Sequence, residues 1–135
     1  MSKPTRPLKP TVVLGKPPTS FPAEVTFTTL SGEQAALQCE FVYRTKTEFG
    51  ELLNELGQAA KDTINAPESD DENQNIFDGA IRLQAQQLSK VLLSWDLPEP
   101  CDTDHLYALC NEYPSAFAAI VQTYRNAIVD GRLGN

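Results

Sequence analysis

Four residues with chemically useful side chains lie close together in the chain: Cys101, Asp102, Asp104 and His105. A thiol, an imidazole and a carboxylate are the components of a Cys-His-Asp catalytic site, in which the base activates the nucleophile and the acid orients the base. Converging geometry defines such a site, and proximity along the chain does not. Aspartates at this spacing are also typical of a helix start, where they cap free N–H groups. The sequence therefore favours a helix start here and predicts a protein that is not an enzyme.

The residues that bind metals most often are too few and too scattered to form a recognisable site. His105 is the only histidine, and the three cysteines, Cys39, Cys101 and Cys110, form no CxxC pair. Cys39 falls in a strand pattern and Cys110 on a helix face, so we expect small, buried, reduced thiols. A Cys101–Cys110 disulfide is the alternative, although a reducing compartment disfavours it. We predict neither a metal nor a cofactor.

The size and charge of the chain limit the classes of protein to consider. Its 135 residues suit one domain with its own core, and no apolar run is long enough to cross a membrane. The formal net charge is −7, from 18 acidic and 11 basic residues. Nucleic-acid binding requires a basic face, so this balance argues against a nucleic-acid partner.

The first 22 residues differ in composition from the rest. They contain four basic residues, no acidic residue and six of the prolines. Proline removes backbone donors and fixes φ, which predicts a flexible, extended basic arm over residues 1–22. Residues 11–14 could add a short edge strand, and residues 23–135 should form a single domain.

Residues 23–44 alternate between apolar and polar side chains, which is the pattern of half-buried strands. Val25 and Phe27 share one face of the first run, and Leu37, Cys39 and Phe41 share one face of the second. The segment Ser31-Gly32-Glu33 between them supplies the glycine that a tight turn requires. The pattern predicts a β-hairpin.

Four helices should follow the hairpin. Thr45 and Glu48 match a capping box for a helix that runs to about residue 62. Residues 63–75 contain an acidic run without EF-hand spacing, which predicts a flexible acidic loop. A second helix is predicted over residues 77–95. A third should begin at Asp102 or Thr103, and a fourth at Pro114 with its stop at Gly131.

These elements predict an α+β, mainly helical fold, with an N-terminal β-hairpin packed against about four helices. Trp95 is either a core anchor or part of a partner-binding face. Arg125 and Arg132 form either weak surface ion pairs or a contact with an acidic neighbour in a homo-oligomer. The hairpin edge could also pair between copies. The candidate partner-binding residues are Phe77, Ile81, Leu88, Leu92, Trp95, Tyr113, Tyr124, Arg125 and Arg132.

The order of several segments resembles the tail assembly chaperones of long-tailed bacteriophages. The segments are residues 21–25 (FPAEV), 40–49 (EFVYRTKTEF), 92–97 (LLSWDL), 106–116 (LYALCNEYPSA), 124–127 (YRNA) and 131–135 (GRLGN). The acidic segment 65–75 looks like a loop insertion relative to that family.

The resemblance implies a non-virion protein of the host cytoplasm. Such a protein binds the tape measure protein, keeps it soluble and promotes assembly of tail tube protein around it. No catalytic residues are implied. Two other classes remain: a structural tail or head–tail connector protein, and an acidic DNA-mimicking inhibitor.

Overall fold

The computed structural model describes residues 12–65 and 75–132. Its elements follow the order β1 (Ser20–Thr28), β2 (Gln34–Val42), α1 (Lys46–Asn65), α2 (Asp78–Ser89), β3 (Leu92–Trp95), α3 (Thr103–Glu112) and α4 (Pro114–Asp130). This is an α+β fold that is mainly helical, as the sequence predicts.

The predicted hairpin is confirmed. Strands β1 and β2 pair antiparallel, with Ser20 opposite Val42 and Thr28 opposite Gln34. The Thr29 N–H donates to the Glu33 carbonyl at 2.8 Å, and Gly32 completes the turn with φ +87°. A positive φ is costly for residues with a Cβ, which explains the glycine.

The N-terminal segment differs in part from its prediction. β1 begins at Ser20, inside the segment that the sequence assigns to the arm. Residues 12–19 form turns and irregular structure, so they do not form the predicted edge strand. Residues 1–11, and most of the predicted acidic loop at 63–75, lie outside the described residues.

The predicted helix over residues 77–95 is wrong in its second half. α2 ends at Ser89, where the Lys90 N–H donates to the Gln87 carbonyl and the Val91 N–H donates to the Leu88 carbonyl. The chain then forms β3, which pairs antiparallel with β2 and places Trp95 opposite Cys39. The sheet is therefore three-stranded, in the order β1-β2-β3, rather than a two-stranded hairpin.

The helix starts and stops follow the capping signals. The Glu48 N–H donates to Thr45 Oγ1, and the Thr45 N–H donates to Glu48 Oε1, so the capping box of α1 is present. Pro114 occupies the first turn of α4, and Gly131 ends that helix in the left-handed region at φ +66°. α1 extends three residues beyond its predicted end.

The core lies between one face of the sheet and the helices. Its centre is aromatic: the rings of Phe41 and Tyr124 are 5.5 Å apart, and those of Phe49 and Tyr124 are 5.6 Å apart. The Tyr124 hydroxyl donates to the Val42 carbonyl, which ties α4 to β2. Side chains on the opposite face of the sheet, such as Glu24 and Gln38, are exposed.

Candidate functional site

The cluster around His105 forms a helix cap. Asp102 Oδ1 accepts the His105 backbone N–H at 2.9 Å and lies 2.7 Å from His105 Nδ1. The backbone hydrogen bond from His105 is the main reason that the Asp102 pKa is lowered. The pair therefore closes the first turn of α3, as the sequence favours.

All three cysteines are free thiols, so the alternative disulfide between Cys101 and Cys110 is not formed. Burial raises the pKa of Cys39 to about 12, and that of Cys101 and of Cys110 to about 11. A thiol is nucleophilic as its thiolate, so these values favour inert groups at neutral pH. Among residues 12–65 and 75–132, no cluster of histidine, cysteine and carboxylate side chains could hold a metal ion.

Three of the predicted partner-binding residues belong to the core. Leu88, Leu92 and Tyr124 are 0%, 5% and 2% exposed. Ile81 is half-buried and packs against the same core. A partner cannot contact the three core side chains unless the domain opens. The continuous helical face expected from Phe77 to Trp95 does not exist, because β3 replaces the second half of that helix.

The remaining candidates reach the surface at separate places. Phe77 is 64% exposed at the start of α2, and Arg125 is exposed on α4. Trp95 and Tyr113, which lie far apart in the sequence, line one groove. Arg132 lines a different groove.

The groove that Trp95 and Tyr113 share lies between α3 and the segment that follows β3. We name it the Trp95 groove. It is lined by Trp95, Leu97, Glu99, His105, Ala108, Leu109, Glu112 and Tyr113, and its volume is about 380 Å³.

The floor and wall of the Trp95 groove are apolar and held in position. The Trp95 indole N–H donates to the Glu99 carbonyl at 2.7 Å, which is the hydrogen bond expected for a tryptophan anchor. Leu109 is buried beneath the groove, and the Tyr113 ring meets the Phe27 ring edge-on at 5.9 Å. Leu97 is 38% exposed at the edge of the groove. An apolar side chain could therefore enter without rearrangement of the core.

The rim of the Trp95 groove is acidic. Glu99 and Glu112 line it and are both exposed, so they can stay hydrated while they attract a basic group. Leu97, Glu99 and Glu112 line the groove but are not among the residues predicted from the sequence. No periodic pattern could identify them, because they come from a turn and a helix end that only the folded chain brings together.

The described structure is that of a small α+β protein with an open groove of apolar and acidic residues beside α3. None of its described helices has the length and apolar character needed to span a membrane. The family model for phage tail assembly chaperones matches residues 9–135, so the chain belongs to the phage tail assembly chaperone family. No curated protein and no solved structure matches the chain.

Proposed function

We propose that this protein binds apolar helical segments of the phage tape measure protein in the Trp95 groove. It keeps them soluble in the host cytoplasm and releases them to the assembling tail tube. The observation that carries the proposal is that the partly exposed Leu97 and Tyr113 line one groove with the buried Leu109 and with two glutamates.

The apolar floor supplies the attraction. Burying one large apolar side chain of a partner contributes about 2 kcal/mol, and the groove has room for only a few such side chains. Association itself costs at least about 4 kcal/mol in lost freedom of motion. The balance supports weak, reversible binding, which suits a chaperone that must leave when tube protein covers the same surface.

The acidic charge contributes in two ways. Glu99 and Glu112 favour a helix that carries lysine or arginine beside its apolar residues. The net charge of −7 also makes complexes repel one another, which opposes aggregation of a partner with exposed apolar faces. Both features support a solubilising role rather than a permanent structural one.

The test is co-expression with the tape measure protein of the same phage, with two matched variants. Leu97→Asp places a charge in the groove, whereas Leu53→Asp places the same charge on α1 at a residue of similar exposure, 46%. We expect the parent protein and Leu53→Asp to keep the tape measure protein soluble and to co-elute with it. Leu97→Asp should lose about tenfold or more in affinity, since about 1.4 kcal/mol of lost contact suffices.

Two results would contradict the proposal. If Leu97→Asp retains full binding while it is folded by circular dichroism, the partner does not occupy the Trp95 groove. If the parent protein leaves the tape measure protein insoluble, the chaperone role itself fails. Mass spectrometry of purified virions then tests the structural alternative, because a chaperone that leaves should be absent from them.

A further inference from the structure

A second groove lies at the C-terminal end of α4 and has the opposite charge. We name it the basic groove, and the residues that carry the argument are Pro18, Phe21, Arg44, Lys46, Ile128 and Arg132. It shares no lining residue with the Trp95 groove. Three cations therefore converge on one site in a chain whose net charge is −7.

These cations have no carboxylate partner in the part of the chain that the structure describes. No acidic side chain in residues 12–65 or 75–132 lies within ion-pair distance of Arg44, Lys46 or Arg132. Arg44 donates instead to the Tyr124 hydroxyl at 3.0 Å, which holds its guanidinium in place. The nearby Glu48 carboxylate accepts the Thr45 N–H of the capping box, and the charge of Arg44 contributes to the lowering of the Glu48 pKa. Arg44 also lines a neighbouring groove with Glu48, Glu51 and Glu55, so acidic side chains lie close to its charge. Lys46 and Arg132 therefore supply the positive charge of the groove that is available to a ligand.

The negative end of the α4 dipole is also close to this groove. A helix C-terminus carries about half a negative charge. Here the Arg132 N–H donates to the Asn126 carbonyl, which satisfies part of that end. The lining of the groove contains three cationic residues and no acidic residue, so the charge of the lining favours an anionic ligand.

The floor of the basic groove is apolar and rigid. Phe21 stacks on Phe41 at 5.5 Å and on Tyr124 at 6.0 Å, so core rings fix its orientation. Ile128 is buried beside it. A simple inorganic anion would leave this apolar surface uncovered. A peptide with an apolar residue between carboxylates would cover the apolar floor and pair its carboxylates with the cationic side chains.

We infer that the basic groove binds an acidic peptide segment, with a large apolar side chain on Phe21 and Ile128 and carboxylates on Lys46 and Arg132. Nucleic acid fits less well, because the acidic body repels a long polyanion within the Debye length of about 8 Å.

The two grooves lie near opposite ends of β1. Phe21 lines the basic groove, and Phe27 contacts Tyr113 of the Trp95 groove. A span of six residues in a strand separates these side chains by roughly 20 Å, which leaves room for two partners at once.

The experiment uses fluorescein-labelled short peptides and the full chain, with binding read by fluorescence anisotropy at low salt. The probe set contains leucine or phenylalanine flanked by glutamates. One comparison peptide replaces the glutamates with lysines, and another replaces the apolar residue with alanine. We expect the acidic apolar peptides to bind, and both comparison peptides to bind at least about tenfold more weakly, as expected if each loses about 1.4 kcal/mol.

Variants locate the site. Lys46→Glu and Arg132→Glu should each weaken binding of the acidic peptide by about tenfold or more, the loss that follows when about 1.4 kcal/mol of attraction is removed. Arg125→Glu makes the same charge change on α4 at a residue that does not line the groove, and it should have a much smaller effect. Leu97→Asp, in the other groove, should leave peptide binding unchanged. All four sites are at the surface, and circular dichroism checks that each variant folds.

Three results would overturn the inference. One is the failure of every acidic apolar peptide to bind. Another is an equal loss in Arg125→Glu, which would indicate a general charge effect. The third is displacement of the peptide by a single-stranded oligonucleotide at lower concentration, which would assign the groove to nucleic acid. None of these depends on the tape measure assay, so the two proposals can fail separately.

Discussion

The Tyr124 hydroxyl donates a hydrogen bond of 2.8 Å to the Val42 carbonyl and accepts one of 3.0 Å from Arg44 Nη1. This contact joins the last helix to the end of the second strand, 82 residues away in the sequence. The same tyrosine ring packs on Phe41 and Phe49, so one side chain links the sheet, α1 and α4.

Tyr124→Phe removes the hydroxyl and keeps the ring. We expect the free energy of unfolding to fall by about 1 kcal/mol or somewhat more, because the Val42 carbonyl and Arg44 lose a partner. Urea denaturation measures the change. Tyr113→Phe is the matched control, since Tyr113 is 43% exposed, and it should stay within about 0.5 kcal/mol of the parent. Equal effects would mean that the Tyr124 hydrogen bonds contribute nothing specific.

Leu88→Asp and Phe77→Asp should have opposite outcomes, although both residues belong to the face predicted from sequence. Leu88 is fully buried, so an unpaired carboxylate there should cost about 4 kcal/mol or more and leave the protein largely unfolded. Phe77 is 64% exposed, and its variant should remain folded with a change of about 0.5 kcal/mol or less. Thermal denaturation compares them. A stable Leu88→Asp protein would contradict the core described above.

Alanine should have opposite effects at two glycines. Gly32 has φ +87° in the hairpin turn, so Gly32→Ala should cost about 1 kcal/mol. Gly57 is inside α1, where Gly57→Ala should stabilise by up to about 1 kcal/mol. An added Cβ meets nothing within 4 Å at either position. The sign of the change in the free energy of unfolding therefore depends on backbone conformation alone. Chemical denaturation of both variants measures it, and a loss of stability at Gly57 would contradict the prediction.

The cap at Asp102 should make stability depend on pH in the acidic range. Its pKa is lowered in the folded protein, mainly by the His105 backbone N–H. The folded state therefore favours the carboxylate, and this contribution is present above the unfolded pKa of about 3.9 and is lost as pH falls through the lower folded value. The parent should be more stable than Asp102→Ala near neutral pH, and the difference should shrink below about pH 4.

Asp102→Asn separates the cap from its charge. The amide oxygen can still accept the His105 N–H, but it does not titrate. Its stability near neutral pH should lie between those of the parent and Asp102→Ala. A gap between the parent and Asp102→Ala that stays constant down to the lowest pH would show that the carboxylate charge has no role.

Local signals along the chain were sufficient for the hairpin and for most helix ends. Alternation of side chains, the Thr45–Glu48 box, Asp102, Pro114 and Gly131 each act through hydrogen bonds or dihedral preferences within a few residues. Both partners of each such interaction lie within a few residues of one another, so a short stretch of sequence contains them both. The hairpin and these helix ends could therefore be predicted without knowledge of the tertiary structure, and the structure confirms them.

The segment from Val91 to Trp95 illustrates what local signals cannot decide. Its apolar residues continue the helical stripe of α2, and they also suit a buried strand, so periodicity alone is ambiguous. The edge of β2 is formed by residues far away in the chain. Pairing with that edge satisfies backbone groups that would otherwise lack partners, and this selects the strand.

The sequence by itself determined the fold class, the hairpin, the helix caps and, through its resemblance, the family. Only the tertiary structure decided that Leu88, Leu92 and Tyr124 are core residues, because burial depends on contacts between distant segments. The tertiary structure also determined which residues line the two grooves. Each combines a turn with the end or face of a helix, and the distance between such elements is set by packing of the whole chain.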